Sequence, residues 1–256
     1  VSVALASREL GGAGAPPLVV LHGLLGSSRN WQSAGAALAT RGTRVVALDL
    51  RNHGESPWDD DCSFAAMADD VLAWLDARLP GPVHLVGHSL GGKVAMRLAC
   101  AHPARVARLT VVDIAPRAYP GRLRVEFEAM RALDLASLGS RKDADAALAA
   151  TVPDWALRQF LLTNLGQDAS GAWRWKVNRA ALERALPGLV GDSLPEGAAF
   201  AGHARLIRGG ESDYVRDEDL PLWKARFPAG DVVTLPGSGH NPHFDARSGF
   251  VDAVLA

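Results

Sequence analysis

Cysteine is scarce in this chain: Cys62 and Cys100 are the only two. They form no C-x-x-C pair and cannot build a disulfide framework, so a reducing compartment, the cytoplasm, is expected. Both thiols are expected as small buried apolar groups. Long hydrophobic runs are missing too. Apolar runs such as residues 18–21 and 45–48 fall far short of the ~20 residues that span a bilayer. No basic segment followed by an apolar core is visible, so no secretory signal is expected. Neither sign of charge is in excess, with 27 Lys+Arg against 28 Asp+Glu and a net charge of −1. That leaves no basic stripe for nucleic acid and no acidic solvating tail. What is present is 256 residues, 48% hydrophobic and 21% charged. A chain of this length builds one domain, or one domain carrying an insertion, with a core that needs no staples.

Short apolar runs alternate with helical stretches. Residues 18–21 lead into His22-Gly23, 45–48 into Asp49, 83–86 into Gly87, and 109–112 into Asp113. Later, residues 206–208 lead into Gly209-Gly210 and 232–235 into Pro236-Gly237. Nearly uninterrupted apolar strands separated by helices predict a mostly parallel sheet covered on both faces. Ligands of such sheets bind beyond the carboxyl ends of the strands, and every glycine or polar residue just named sits at such an end.

Residues 116–203 hold no convincing strand. Leu157, Phe160, Leu161 and Leu165 share one helical face, Leu182, Leu186 and Leu189 another, and Leu123, Phe127 and Met130 a weaker third. A simple crossover needs far less chain. A helical cap inserted after the strand ending at Asp113 is expected, over a core made of residues 1–115 and 204–256.

Gly87-His88-Ser89-Leu90-Gly91 follows a strand and precedes an Ala-rich helical run. This is the G-x-S-x-G elbow in the strand–turn–helix context it requires. Such a turn lifts Ser89 Oγ above the sheet and sets it at a helix N-terminus, where backbone N–H groups favour developing negative charge. The same stretch offers a rival, because Gly87, Gly92 and Lys93 match the core of a nucleotide-binding P-loop. Val94 stands where that motif needs a Ser or Thr oxygen for Mg²⁺, which argues against it.

A serine needs a histidine to take its proton and a carboxylate to orient that histidine. His240, in the glycine-rich loop after the last strand, is the expected base. His243 reads as a packing residue and His88 as support for the elbow. Two aspartates compete for the third role. Asp113 ends the strand after the nucleophile helix, and Asp213 follows the next strand; counting three residues from Gly210 reaches Asp213, whereas counting from Gly209 reaches Ser212. The N–H groups of Leu24 and Leu90 are the expected oxyanion donors, with His22 bracing the first loop.

Together, Leu21-His22-Gly23-Leu24-Leu25-Gly26, residues 49–56 (DLRNHGES), Gly87 through Lys93, and Gly239-His240 resemble an α/β-hydrolase over essentially the whole chain. Arg51-Asn52-His53-Gly54, residues 92–96 (GKVAM), residues 112–116 (VDIAP) and residues 175–178 (WKVN) resemble the bacterial YbfF-like esterases more narrowly. The resemblance implies a Ser-dependent esterase or thioesterase acting on acyl esters or acyl-CoA without metal or organic cofactor. Members are similar to this chain in having serine where Ser212 stands and a carboxylate after the preceding strand. That implies Asp113 as the orienter and Ser212 as a helper, with Asp213 the alternate acid.

The small-molecule partner expected is therefore an acyl ester or thioester, with no nucleic acid and no membrane span. Carbon–carbon bond hydrolysis, cofactor-free haloperoxidation and a non-catalytic ligand-binding role are the competing readings. His22, His88, Trp173 and Trp175 are candidate substrate contacts, and Arg117, Arg122 and Arg124 could meet an anionic leaving group. Core packing and a solvated helix face are their plainer roles.

Overall fold

A computed structural model describes residues 1–256. The core begins with β1 (Ser7–Gly11), β2 (Gly14–Leu21), α1 (Gln32–Thr40), β3 (Thr43–Leu48), α2 (Phe64–Arg78), β4 (Val83–His88), α3 (Leu90–Ala101) and β5 (Val106–Val112). The segment that follows holds α4 (Arg124–Ala132), α5 (Arg141–Leu148), α6 (Trp155–Leu162), β6 (Leu165–Gln167), β7 (Trp173–Trp175) and α7 (Arg179–Leu189). The core then resumes with β8 (Ala204–Gly209), α8 (Leu220–Arg226), β9 (Asp231–Leu235), α9 (Pro242–Asp245) and α10 (Arg247–Leu255).

Seven strands form one sheet in the order β1-β3-β2-β4-β5-β8-β9. Only the edge strand β1 runs antiparallel, against β3; the other pairings are parallel. The period of two is visible in the packing. Val19, Leu21, Val46 and Leu48 enter one hydrophobic cluster, while Leu18, Val20, Val45 and Ala47 enter the other, so both faces are covered. All six residues of the central strand β4 are buried, which is why these strands read as nearly continuous apolar runs, with His84 bonded to Thr110 at 2.8 Å. No helix is long and apolar enough to cross a membrane.

The segment between β5 and β8 is mainly helical, and its starts are written locally. Asp154 caps α6 by accepting from Leu157 N at 2.8 Å, and Asn178 caps α7 by accepting from Ala181 N at 3.3 Å. Phe127, Met130, Leu161 and Leu182 join the same cluster as the α2–α3 side of the sheet. Two expectations need correction here. The segment does contain strands: β6 and β7 pair antiparallel, with Leu165 opposite Trp175. Leu165 therefore belongs to that hairpin and not to the helical face of α6, which ends at Leu162. Three-residue strands are too short to show alternation. Their turn is held by the Asp168 carboxylate, which accepts from the N–H groups of Ser170 and Ala172.

Candidate active site

Ser89 occupies φ 51°, ψ −115° between β4 and α3, a conformation that costs a non-glycine residue energy and persists only when its surroundings dictate it. They do. Ser89 N–H bonds Val112 O on β5, and Ser89 O accepts from Lys93 N, both at 3.1 Å. A Cβ at Gly87 would meet Gly91 O at 2.2 Å, and one at Gly91 would meet Leu21 O at 2.5 Å. Both glycines of the elbow are thus required sterically.

Asp113 repeats the device one strand over. It has φ 51°, and its N–H bonds Ile207 O on β8 at 2.8 Å. Its carboxylate is fully buried and every contact is a donor: Gly209 N–H to Oδ1 at 3.0 Å, His240 Nδ1 to Oδ2 at 2.8 Å, and the Ser212 hydroxyl to Oδ2. His240 reaches it from the loop after β9, which closes on Gly209, where a Cβ would meet Gly239 O at 2.1 Å. Asp213 is not brought to His240. Its exposed carboxylate pairs with Arg122.

The Leu24 loop lies against the elbow: a Cβ at Gly23 would stand 3.3 Å from Ser89 Cβ. Leu24, Ser89 and Leu90 line one small apolar pocket with Ile114, Leu123 and Leu189. Leu90 is the first residue of α3, so its N–H has no carbonyl one turn back.

His22 and His88, expected both as supports and as candidate substrate contacts, are buried and bonded to the backbone. His22 Nδ1 donates to Gly23 O at 2.8 Å and Nε2 accepts from Leu50 N at 3.0 Å. His88 Nε2 donates to His240 O at 2.8 Å. Burial holds both imidazoles below their usual titration range, His88 well below it, and therefore neutral. Trp173 and Trp175 also lie away from the pocket. Trp175 is buried with Nε1 donating to Met130 O at 3.2 Å, and Trp173 packs against the hydrophobic cluster. His243 stacks on Trp31 with ring centroids 4.6 Å apart, as its packing role requires.

Several supports lie in sequence motifs whose spacing does not disclose their role. His53 donates from Nδ1 to Arg51 O at 2.9 Å and accepts Leu25 N–H on Nε2 at 3.2 Å, steadying the Leu24 loop from below. Burial depresses its pKa to about 3. Arg51 is itself buried, paired with Asp70 at 2.6 and 2.8 Å. Lys93 donates to Arg117 O at 2.9 Å and to Gly191 O, gripping both ends of the helical segment from the nucleophile helix. Its burial pulls the ammonium down to about 8. That engagement also removes the lysine from any phosphate-binding role. A polar cavity of about 410 Å³ shares Tyr119 and Arg122 with the Ser89 pocket. Its three arginines are already paired, Arg117 with Asp219 at 2.6 Å, Arg122 with Asp213, and Arg216 with Glu218 at 3.4 Å. Arg124 lies exposed beside Glu128. Cys62 is buried, Cys100 partly so, and burial raises both thiols to about 11.

A family described as alpha/beta hydrolase fold matches residues 16–247. The chain is an α/β-hydrolase. It is 38% identical over 254 residues to the sn-1-specific diacylglycerol lipase ABHD11 of Mus musculus, covering 96% of this chain and 82% of that protein. It is 33% identical over 241 residues to esterase YbfF of Escherichia coli, covering 93% and 90%. A solved structure described as a marine microorganism esterase superposes with a TM-score of 0.95 at 34% identity, covering 99% of both chains. The fold read from strand ends, and the likeness to YbfF-like esterases, both stand.

Proposed function

We propose that this hydrolase cleaves carboxylic esters through an acyl-enzyme on Ser89, with His240 as general base and Asp113 as its orienter. Ester hydrolysis as the coarse activity rests on relatives named lipase and esterase that align along nearly the whole chain. The finer assignment is carried by one observation. The buried Asp113 carboxylate meets His240 Nδ1 at 2.8 Å, at the edge where Ser89 is held in its strained turn.

That bond places the imidazole proton on Nδ1 and leaves Nε2 free to accept the Ser89 proton. Ser89 Oγ then attacks the acyl carbonyl. The Leu24 and Leu90 N–H groups hold the oxyanion. The carbon–oxygen or carbon–sulfur bond breaks as His240 returns the proton to the departing alkoxide or thiolate. Water, deprotonated by His240, releases the acid. Residues 116–203 act as a lid, with Leu123 and Leu189 supplying the pocket's outer wall. The pocket is small and apolar beside Ser89, which suits the acyl side, and acyl esters and acyl thioesters are both in its scope.

The test is direct. Ser89→Ala should abolish hydrolysis of p-nitrophenyl esters and labelling by a fluorophosphonate. A variant that still hydrolyses and still labels would sink the assignment. Aryl esters of increasing chain length, run beside acyl-CoA substrates, measure the acyl limit.

A further inference from the structure

We infer that Tyr214 is a positioning residue for the base, an aromatic platform that fixes the plane of His240 and attracts the imidazolium formed as the base takes the Ser89 proton. This rests on the triad reading above. The Tyr214 and His240 rings are stacked with centroids 3.5 Å apart and planes 13° from parallel. The Arg122 guanidinium lies 4.5 Å from the centre of the same tyrosine ring. Tyr214 is thus held among three groups, His240 stacked directly on it, the Arg122 guanidinium against the same ring, and the Tyr119 ring stacked 5.6 Å away.

The platform is pinned by the groups that orient the base. Tyr214 N–H donates to Ser212 Oγ at 3.2 Å, and that hydroxyl donates to Asp113 Oδ2. Tyr214 O accepts the Tyr119 hydroxyl at 2.8 Å. Asp113 and Tyr214 therefore constrain one imidazole in two ways, the carboxylate at its Nδ1 and the ring across its face. Once His240 has taken the Ser89 proton it is a cation. The negative face of an aromatic ring attracts a cation more than a neutral imidazole, so the platform lowers the barrier selectively. Arg122 would oppose this as a like charge, but Asp213 neutralises it. The aspartate beside Tyr214 thus serves the platform and not the imidazole itself.

The experiment compares Tyr214→Phe, Tyr214→Leu and Tyr214→pentafluorophenylalanine in the full chain, with Ser89→Ala alongside. Readouts are kcat and KM on a short p-nitrophenyl ester, the fluorophosphonate labelling rate, and Tm. Phe keeps the ring face and should stay within about twofold of the parent. Leu should lose about tenfold in kcat and in labelling rate at unchanged KM. Pentafluorophenylalanine keeps the shape but reverses the ring's charge distribution, so it should lose as much without a fall in Tm, which keeps the test decisive if Leu fails to fold. Parent-like kcat and labelling in the Leu or fluorinated variant, a change confined to KM, or an equal loss in Phe would each overturn the platform. Residual labelling of Ser89→Ala would instead overturn the triad, so the two failures are distinguishable.

Discussion

Replacing Asp113 by Asn tests the site at its least forgiving point. The carboxylate accepts on both oxygens and donates nothing: Gly209 N–H on Oδ1, His240 Nδ1 and Ser212 on Oδ2. An amide has one acceptor oxygen and one donor nitrogen. Gly209 offers a backbone N–H that cannot turn away, so the amide oxygen must face it. The NH₂ group then points at His240 Nδ1 and forces that nitrogen to be the acceptor. The imidazole proton moves to Nε2, the atom that should receive the Ser89 proton, and the base is disabled with little change in shape. A wrong tautomer of this kind costs about 10⁴ in kcat, equivalent to about 5.4 kcal/mol of barrier. Asp213→Asn removes an exposed charge whose part in the site is to neutralise Arg122, a solvent-screened effect that should change kcat less than about threefold. Steady-state hydrolysis of a p-nitrophenyl ester and the fluorophosphonate labelling rate read both variants, with circular dichroism confirming the fold. An Asp113→Asn enzyme retaining more than about 1% of kcat, or an Asp213→Asn enzyme losing as much as it, would refute the reasoning.

Two further predictions concern the scaffold. Arg51→Met strands the fully buried Asp70 carboxylate, which keeps only the Val3 N–H at 2.7 Å. The cost should be about 3–5 kcal/mol, roughly a 10 °C fall in Tm for a chain of this size. Adding Asp70→Leu should recover part of it, and a double variant no more stable than Arg51→Met would contradict this account. The second concerns acid. Burial holds His53, His84 and His243 at about 3, below the ordinary 6.5. The unfolded chain therefore binds protons that the folded chain excludes. Stability is complete above pH 6.5 and falls as pH drops toward 3, by up to about 1.4 kcal/mol per pH unit for each imidazole. Urea midpoints at pH 7.5, 6 and 5 should decline in that order, and His84→Gln should flatten the slope. A midpoint unchanged from pH 7.5 to 5 would show that these histidines are not buried neutral.

The parts of this protein legible in its sequence are those whose physics is local. Strands buried on both faces are largely apolar, so residues 18–21, 45–48, 83–86 and 109–112 announce the sheet and its functional edge, the polar His84 and Thr110 being tolerated because they bond each other at 2.8 Å. Ser89 is legible because Gly87 and Gly91 have no room for a Cβ, a constraint written within five residues. The acid is different. Asp113 and Asp213 both follow strands, and the count to the acid position changes answer with the glycine chosen as its origin. What separates them is which side chain turns inward, and that is set by the left-handed turn at Asp113 and its N–H bond to Ile207 on a strand nearly a hundred residues later. Tyr214 is less legible still, since its stack joins Arg122 from the helical segment to His240 from the last loop. No periodicity or spacing links three such distant segments. The same holds for His22 and His88, whose positions at strand ends suit a substrate as well as a buried support. Only the partners of their ring nitrogens, the backbone of residues 23, 50 and 240, decide between the two. Local sterics therefore marks where the nucleophile stands, while the groups that tune it are chosen by contacts the fold makes between remote segments.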